Sequence, residues 1–250
     1  MMQIKIVLFD LGSTLLYSKD PWPPIFKKAD RALAAALQQA GIPLDGEAFY
    51  TEFGGFLDAY YAERGDGSVE KTTAVSLREF LSGKEFQSIP EATIRAALDA
   101  MYAVTQQNWY LEEDALPTLA TLRQRGYRLG MISNTSDDKN VQQLIDRHGL
   151  RPYFECIVTS AGCGIRKPDG RIFQMALDHF RVRPEAAAMV GDTLEADILG
   201  ANRMGIYSIW ITRRTGVREE GELAVQPQAV VSSLGQIPSL LEEIESDKGL

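Results

Sequence analysis

Hydrophobic positions fall into two textures along the chain. Ile4 to Phe9 is a near-continuous apolar run that stops at Asp10-Leu11-Gly12-Ser13-Thr14. A short unbroken run closed by turn residues predicts a strand buried on both faces, then a turn. From residue 17 the period changes. Asp20, Pro21, Pro23 and Pro24 around Trp22 predict a loop. Ile25, Ala29, Ala32, Leu33, Ala36 and Leu37 then recur at three- and four-residue spacing, which predicts a helix over 25–40 stopped by Gly41. Further helices are predicted near 46–63, 72–82 and 91–109. Gly54-Gly55 is a place for the second of them to kink or break, and Arg64-Gly65-Asp66-Gly67-Ser68 reads as a loop. No strand is expected from 17 to 110.

Beyond residue 111 helices and strands alternate. Helices are predicted near 114–125, 137–147, 170–180, 195–203 and 237–245. Strands are predicted over Arg128 to Ile132, near 155–159, over Ala187 to Val190 and over Tyr207 to Ile211, with Val230 and Val231 as an edge strand. This alternation predicts an α/β fold, a doubly wound parallel sheet. Its core is expected from residues 1–16 plus 111–250, with an all-helical domain inserted over 17–110. An insert that leaves the first strand at its end sits over the carboxyl edge of the sheet, where open α/β sheets bind ligands.

Composition narrows the chemistry. The 250 residues are 45% hydrophobic, enough for a sizeable core. Lys and Arg total 26 against 34 Asp and Glu, a net charge of −8. With no basic run, nucleic acid and anionic membrane are poor partners. The longest apolar runs are strand-length, short of a membrane span, and Asp10 breaks the first too early for a signal peptide. A cytoplasmic, reducing setting is expected, with Cys156 and Cys163 as free thiols. Two cysteines and two separated histidines, His148 and His179, make neither a disulfide framework nor a Cys- or His-based metal cluster. Carboxylates and a lysine remain as tools.

The polar clusters that close or precede the strands supply those tools. Each has an ordinary reading when taken alone. Asp10 is a turn former at a strand end, and Ser133-Asn134-Thr135 an N-cap cluster. Lys167 is a solvated loop lysine. Asp192 and Glu195 have capping-box spacing, and Asp197 is a first-turn acid favoured by the helix dipole. Taken together, three carboxylates, a hydroxyl and an ammonium converge on one sheet edge, which suits phosphoryl transfer. Asp10 and Asp192 can hold Mg²⁺ through oxygen ligands. Ser133, Lys167 and the backbone N–H groups of Leu11 and Asn134 can take the phosphate oxygens, and Asp10 is placed to attack phosphorus.

The order Asp10-Leu-Gly-Ser-Thr-Leu, Ser133-Asn134, Lys167-Pro168 and Gly191-Asp192-(four residues)-Asp197 resembles the haloacid dehalogenase-like hydrolase superfamily. The resemblance spans the chain. It implies a Rossmann-like core with a helical cap of the C1 type, and a Mg²⁺-dependent phosphatase acting on a small phosphorylated metabolite. Asp10 would be the nucleophile, Ser133 a phosphate ligand, and Lys167 the group that steadies both. Asp192 would ligate the metal directly, and Asp197 would ligate it through water or orient a ligand. Leu11, Gly12, Thr14 and Asn134 are the expected substrate-binding positions.

One position departs from the pattern. The family's phosphatases usually carry a second Asp two residues after the nucleophile, where this chain has Gly12. Gly12 can offer its backbone carbonyl to Mg²⁺ but cannot donate a proton. General acid–base catalysis contributes about 10²–10⁴-fold, so its loss slows poor leaving groups without abolishing activity. Phosphates with good leaving groups are therefore expected to be favoured, unless a cap residue or water supplies the proton. The alternatives are a metal-independent dehalogenase and a non-catalytic phosphate-binding or regulatory member of the fold.

Other features weigh less. Trp22 packs the hinge or lines the substrate entrance. Arg166 steers anions or sits at the surface. The apolar stripes at 25–37 and 94–104 form the cap core or a dimer contact, consistent with a monomer or a homodimer.

Overall fold

The computed structural model describes residues 3–64, 67–84, 86, 88–215 and 224–246. Strand β1 is Ile6–Phe9 and β2 is Leu16–Ser18. Four helices follow: α1 Trp22–Gln39, α2 Gly46–Arg64, α3 Thr73–Gly83 and α4 Glu91–Thr105. Strand β3, Trp109–Leu111, leads back to α5 Ala115–Gln124 and β4 Arg128–Ser133. Then come α6 Asp138–Arg147, β5 Cys156–Thr159, the single turn α7 Ser160–Cys163 and α8 Gly170–Phe180. The chain continues through β6 Ala187–Gly191, α9 Leu199–Met204, β7 Tyr207–Ile211, β8 Ala229–Val231 and α10 Ile237–Ser246.

Six strands form one parallel sheet in the order β5-β4-β1-β6-β7-β8. Side chains alternate across a strand, and β1 shows the consequence. Val7 and Phe9 join a cluster with Leu119, Leu122, Val141, Leu144 and Leu241 from α5, α6 and α10. Ile6 and Leu8 join another with Ile172, Phe173, Leu177 and Ala201 from α8 and α9. Both faces are thus covered, which explains why β1 reads as unbroken apolar sequence. Burial of each such side chain contributes roughly 1.5–3 kcal/mol.

Helices α1–α4 have their own cluster, including Leu33, Leu37, Phe53, Leu77 and Leu98, with no member shared with the sheet's clusters. Polar contacts join these helices and the loop after α2 to the sheet layer. Val69 bridges Ile165 antiparallel, the Glu70 amide donates to the Gly164 carbonyl at 3.0 Å, and the Arg166 amide donates to Ser68 at 2.8 Å. Arg95 on α4 pairs with Asp137 at 2.6 Å, and Lys139 pairs with Asp99 at 2.8 Å. Among the described residues no helix is long and apolar enough to cross a membrane.

Four local expectations are corrected. The region from 17 to 110 does contain strand: β2 and β3 pair antiparallel where the insert leaves and rejoins the sheet layer. Three residues each are too few to display a period of two. Helix α1 starts at Trp22, because Pro23 and Pro24 fit a first turn whose N–H groups need no intrahelical partner. Helix α2 runs unbroken through Gly54-Gly55. Phe53 and Phe56, on either side of the glycines, both pack against Phe80, and that packing outweighs the glycine propensity of about 1 kcal/mol each. The predicted helix at 195–203 is a π-turn, Leu194–Ile198, running into α9. Gly65 and Asp66 of the expected 64–68 loop lie outside the described residues.

Candidate active site

Strand β1 lies between β4 and β6, so the loops that leave all three at their carboxyl ends are neighbours. Asp10 follows β1, Ser133 ends β4 and Asp192 follows β6. Lys167 arrives from the loop between α7 and α8. These residues line one cavity of about 380 Å³, together with Leu11, Gly12, Ser13, Asn134, Thr135, Arg166, Thr193 and Asp197.

Lys167 organises the site. Its ammonium donates to Asp10 Oδ1 at 2.6 Å, to Asp197 Oδ1 at 2.6 Å and to the Ile132 carbonyl at 2.7 Å. All three protons are used, and the side chain is 2% exposed. Burial works to neutralise this amine, but Asp10 and Asp197 outweigh it and hold its pKa above the ordinary lysine value. Asn134 sets the loop that delivers it: the Lys167 amide donates to Asn134 Oδ1 at 2.9 Å, and Asn134 Nδ2 donates back to the Lys167 carbonyl at 3.0 Å.

The carboxylates are crowded. Burial pushes the Asp10 carboxyl up to about 6, with Asp197 adding to the rise and Lys167 opposing it. Burial pushes Asp192 up to about 7, with Asp10 and Asp197 adding. One oxygen from each of Asp10, Asp192 and Asp197 falls within 4.8 Å of the others. Three acids against one ammonium leave an excess of negative charge, and oxygen-only donors suit a hard divalent cation. Both Asp197 oxygens are already engaged, Oδ1 by Lys167 and Oδ2 by the Thr193 amide at 3.0 Å. That leaves Asp10 and Asp192 as the residues best able to hold such a cation. Gly191 makes room for the arrangement, since a Cβ there would lie 2.3 Å from the Asp197 carboxyl carbon. Trp210, buried, fixes the Asp192 backbone by donating from Nε1 to its carbonyl at 2.9 Å.

The capping box suggested by Asp192 and Glu195 is not formed. The turn is capped at Thr193, and the acid that accepts a backbone N–H is Asp197. Thr14 is buried, its hydroxyl has no hydrogen-bond partner, and it does not line the cavity. The Leu11 amide bonds the Asp10 carboxyl. Trp22 stacks on Phe26 and packs against Trp109 without lining the cavity, and neither histidine lines it.

Sequence reasoning missed the wall residues Leu16, Trp109, Asn140, Val141, Leu144 and Ala196, and the looping role of the Asn134 amide. Val141 and Leu144 carry only a helix-face signal, and Trp109 fell at the end of a helix predicted to run through it.

Comparison with known proteins follows the same lines. A family model described as haloacid dehalogenase-like hydrolase matches residues 4–205. The glyceraldehyde 3-phosphate phosphatase of Methanopyrus kandleri is 33% identical over 214 residues, covering 84% of each chain. The phosphoserine phosphatase of Thermus thermophilus is 29% identical, covering 94% of this chain and 98% of its own. The crystal structure of a 2-haloacid dehalogenase from Pseudomonas syringae superposes with a TM-score of 0.70 at 25% identity, covering 96% of this chain and 99% of its own.

Proposed function

The chain belongs to the haloacid dehalogenase-like hydrolases, and from that premise we propose that it is a Mg²⁺-dependent phosphatase. In this reading it hydrolyses a small phosphorylated metabolite through an aspartyl-phosphate on Asp10. The observation that carries the reading is the buried ammonium of Lys167 held between Asp10 and Asp197, beside Asp192. The phosphatase names of relatives at 33% and 29% identity support it.

Lys167 engages Asp10 Oδ1, which orients the carboxylate and leaves its other oxygen for phosphorus. Ser133 and the backbone N–H groups of Leu11 and Asn134 would donate to the non-bridging phosphate oxygens, while Lys167, its protons committed to Asp10, Asp197 and Ile132, would act on them through its charge. Asp10, Asp192 and the Gly12 carbonyl would hold Mg²⁺, and Asp197 would act through water and through Lys167. When bound, the cation neutralises the repulsion between nucleophile and phosphate. With glycine at position 12 no side chain there protonates the departing oxygen, so esters with weakly basic leaving groups react best.

Glycine at this position also suits a dehalogenase, and the chain shares its fold with one. Three clustered carboxylates disfavour that reading, because they repel an anionic haloacid unless a cation sits among them. Hydrolysis of 4-nitrophenyl phosphate during a Mg²⁺ titration separates the two. Turnover that rises with Mg²⁺ and stops on chelation is expected. Turnover that survives chelation, or halide release from a haloacid without metal, contradicts the proposal.

A further inference from the structure

The cavity wall is not uniformly polar. Leu16, Trp109, Val141 and Leu144 also line it. Trp109 opens β3, and its ring reaches across to the backbone two residues past Asp10. A Cβ built on Gly12 would lie 3.4 Å from Trp109 Cη2 and 3.9 Å from Cζ3. The indole therefore stands where a longer side chain at position 12 would extend.

That indole is well supported. Trp22 packs on it with ring centroids 5.1 Å apart, and Phe26 stacks on Trp22 at 5.1 Å. Its backbone pairs with Ser18 across the β2–β3 ribbon. The preceding residue, Asn108, is buried and exchanges two hydrogen bonds of 2.9 Å with the backbone of Asp20. An aromatic surface held this firmly loses little freedom when a ligand packs on it.

The same wall offers no titratable acid beyond that carboxylate cluster among the described residues. Among the described residues the titratable side chains lining the cavity are Asp10, Arg166, Lys167, Asp192 and Asp197. Four of these belong to the nucleophile and cation site, and an arginine keeps its proton. A leaving oxygen that is stable as an anion is therefore favoured here over one that needs a proton from water. Oxygens attached to aromatic rings meet that condition, and their rings match an indole surface.

We propose that Trp109 is a specificity-determining residue and that the substrate class is an aryl or heteroaryl phosphate monoester, whose ring packs on the indole. The proposal rests on the phosphatase reading above. An oxygen of Asp10 bonds to phosphorus while the P–O bond to the aryl oxygen breaks. The bonding pair leaves with the aryloxide, which takes a proton from water after release. Water then attacks the phosphorus of the aspartyl-phosphate, giving inorganic phosphate, a proton and free Asp10. This class separates the chain from the relatives named above, whose names are those of phosphates of aliphatic alcohols.

Phosphonates isolate binding from chemistry. With Mg²⁺ present, calorimetric titration compares methyl-, cyclohexyl- and phenylphosphonate on the wild-type protein and on Trp109→Leu and Trp109→Phe. Phenylphosphonate is expected to bind the wild type about three- to tenfold more tightly than cyclohexylphosphonate, as an aromatic pair implies. The preference is expected to persist in Trp109→Phe and to vanish in Trp109→Leu, with circular dichroism confirming that both fold. Equal wild-type binding of the two ring ligands overturns the proposal without any variant. A preference that survives Trp109→Leu overturns the role of Trp109. If methylphosphonate and inorganic phosphate also fail to bind with Mg²⁺, the phosphatase reading fails with it. If they bind but the phenyl ring adds nothing, only the assignment of Trp109 fails.

Discussion

Lys167 Nζ and Asp10 Oδ1 are 2.6 Å apart in a buried setting, with the same ammonium bonded to Asp197. The lysine is thus both an electrostatic support and the ruler that positions the Asp10 carboxyl. Replacing it with methionine keeps much of the volume and leaves buried carboxylates without their cation. Loss of one partner of a buried pair costs about 3–5 kcal/mol. Lys167→Met is therefore expected to unfold at lower denaturant in chelator, to recover much of that loss in Mg²⁺, and to lose catalysis by at least ~10³-fold. Lys167→Arg should not restore turnover, because a planar fork cannot make three converging bonds in the space of an ammonium.

The metal-free site should respond to pH with a definite sign. Asp10 and Asp192 have folded values pushed up to about 6 and about 7, above those of an unfolded aspartate. Their contribution to stability is full below the unfolded value and is lost as pH rises through 6 to 7. A cation requires the deprotonated forms, so Mg²⁺ affinity should climb over the same interval. Melting temperatures with and without Mg²⁺ between pH 5 and 8 test this. The increment due to Mg²⁺ is expected to grow with pH, and a constant increment contradicts the assignment.

Asp30 on α1 carries a similar cost away from the site. Burial pushes its carboxyl up to about 6. Asp30→Asn is expected to raise the melting temperature above pH 6 by a few degrees, about 2–4 °C for each kcal/mol recovered in a chain of this size. The gain should fade toward pH 4, where the native aspartate is already neutral, and should not depend on Mg²⁺.

Gly191 tests the geometry directly. A Cβ there would meet the Asp197 carboxyl at 2.3 Å. Gly191→Ala must displace Asp197, and with it the second partner of Lys167. Far-UV circular dichroism should remain native, while Mg²⁺ affinity and turnover both fall by at least tenfold. An alanine variant with normal Mg²⁺ affinity would show that Asp197 has no part in the cation site.

Gly12 and Trp109 should behave as a unit. Gly12→Asp alone places its carboxyl against the indole and is expected to raise turnover of alkyl phosphates little. Paired with Trp109→Ala, the acid gains space and should recover part of the 10²–10⁴-fold typical of general acid catalysis. Additive effects of the two substitutions would contradict the contact.

Much of this was legible in the chain. Strands β1, β4, β6 and β7 stood out because burial on both faces leaves an unbroken apolar run ended by a polar turn. That signal placed Asp10, Ser133 and Asp192 at one edge. The short ribbon of Leu16–Ser18 and Trp109–Leu111 was not legible, since its pairing joins residues far apart in the chain, Ser18 with Trp109 and Leu16 with Leu111, and neither strand shows a period. Trp109 was lost for the same reason, although it reaches the cavity. The double hydrogen bond between Asn134 and Lys167 was equally hidden, because an N-cap cluster and a loop anchor look the same in sequence. Helix α2 shows the opposite case, where glycines signalled a break that Phe53, Phe56 and Phe80 override.

The central claim is that Asp10 becomes covalently phosphorylated. Mass spectrometry of protein quenched in acid during turnover of 4-nitrophenyl phosphate with Mg²⁺ tests it most directly. A phosphoryl increment is expected on the peptide that contains Asp10. It should be absent in chelator and absent in Asp10→Asn. Turnover without that increment, or an Asp10→Asn protein that still hydrolyses the ester at the wild-type rate, would contradict the account.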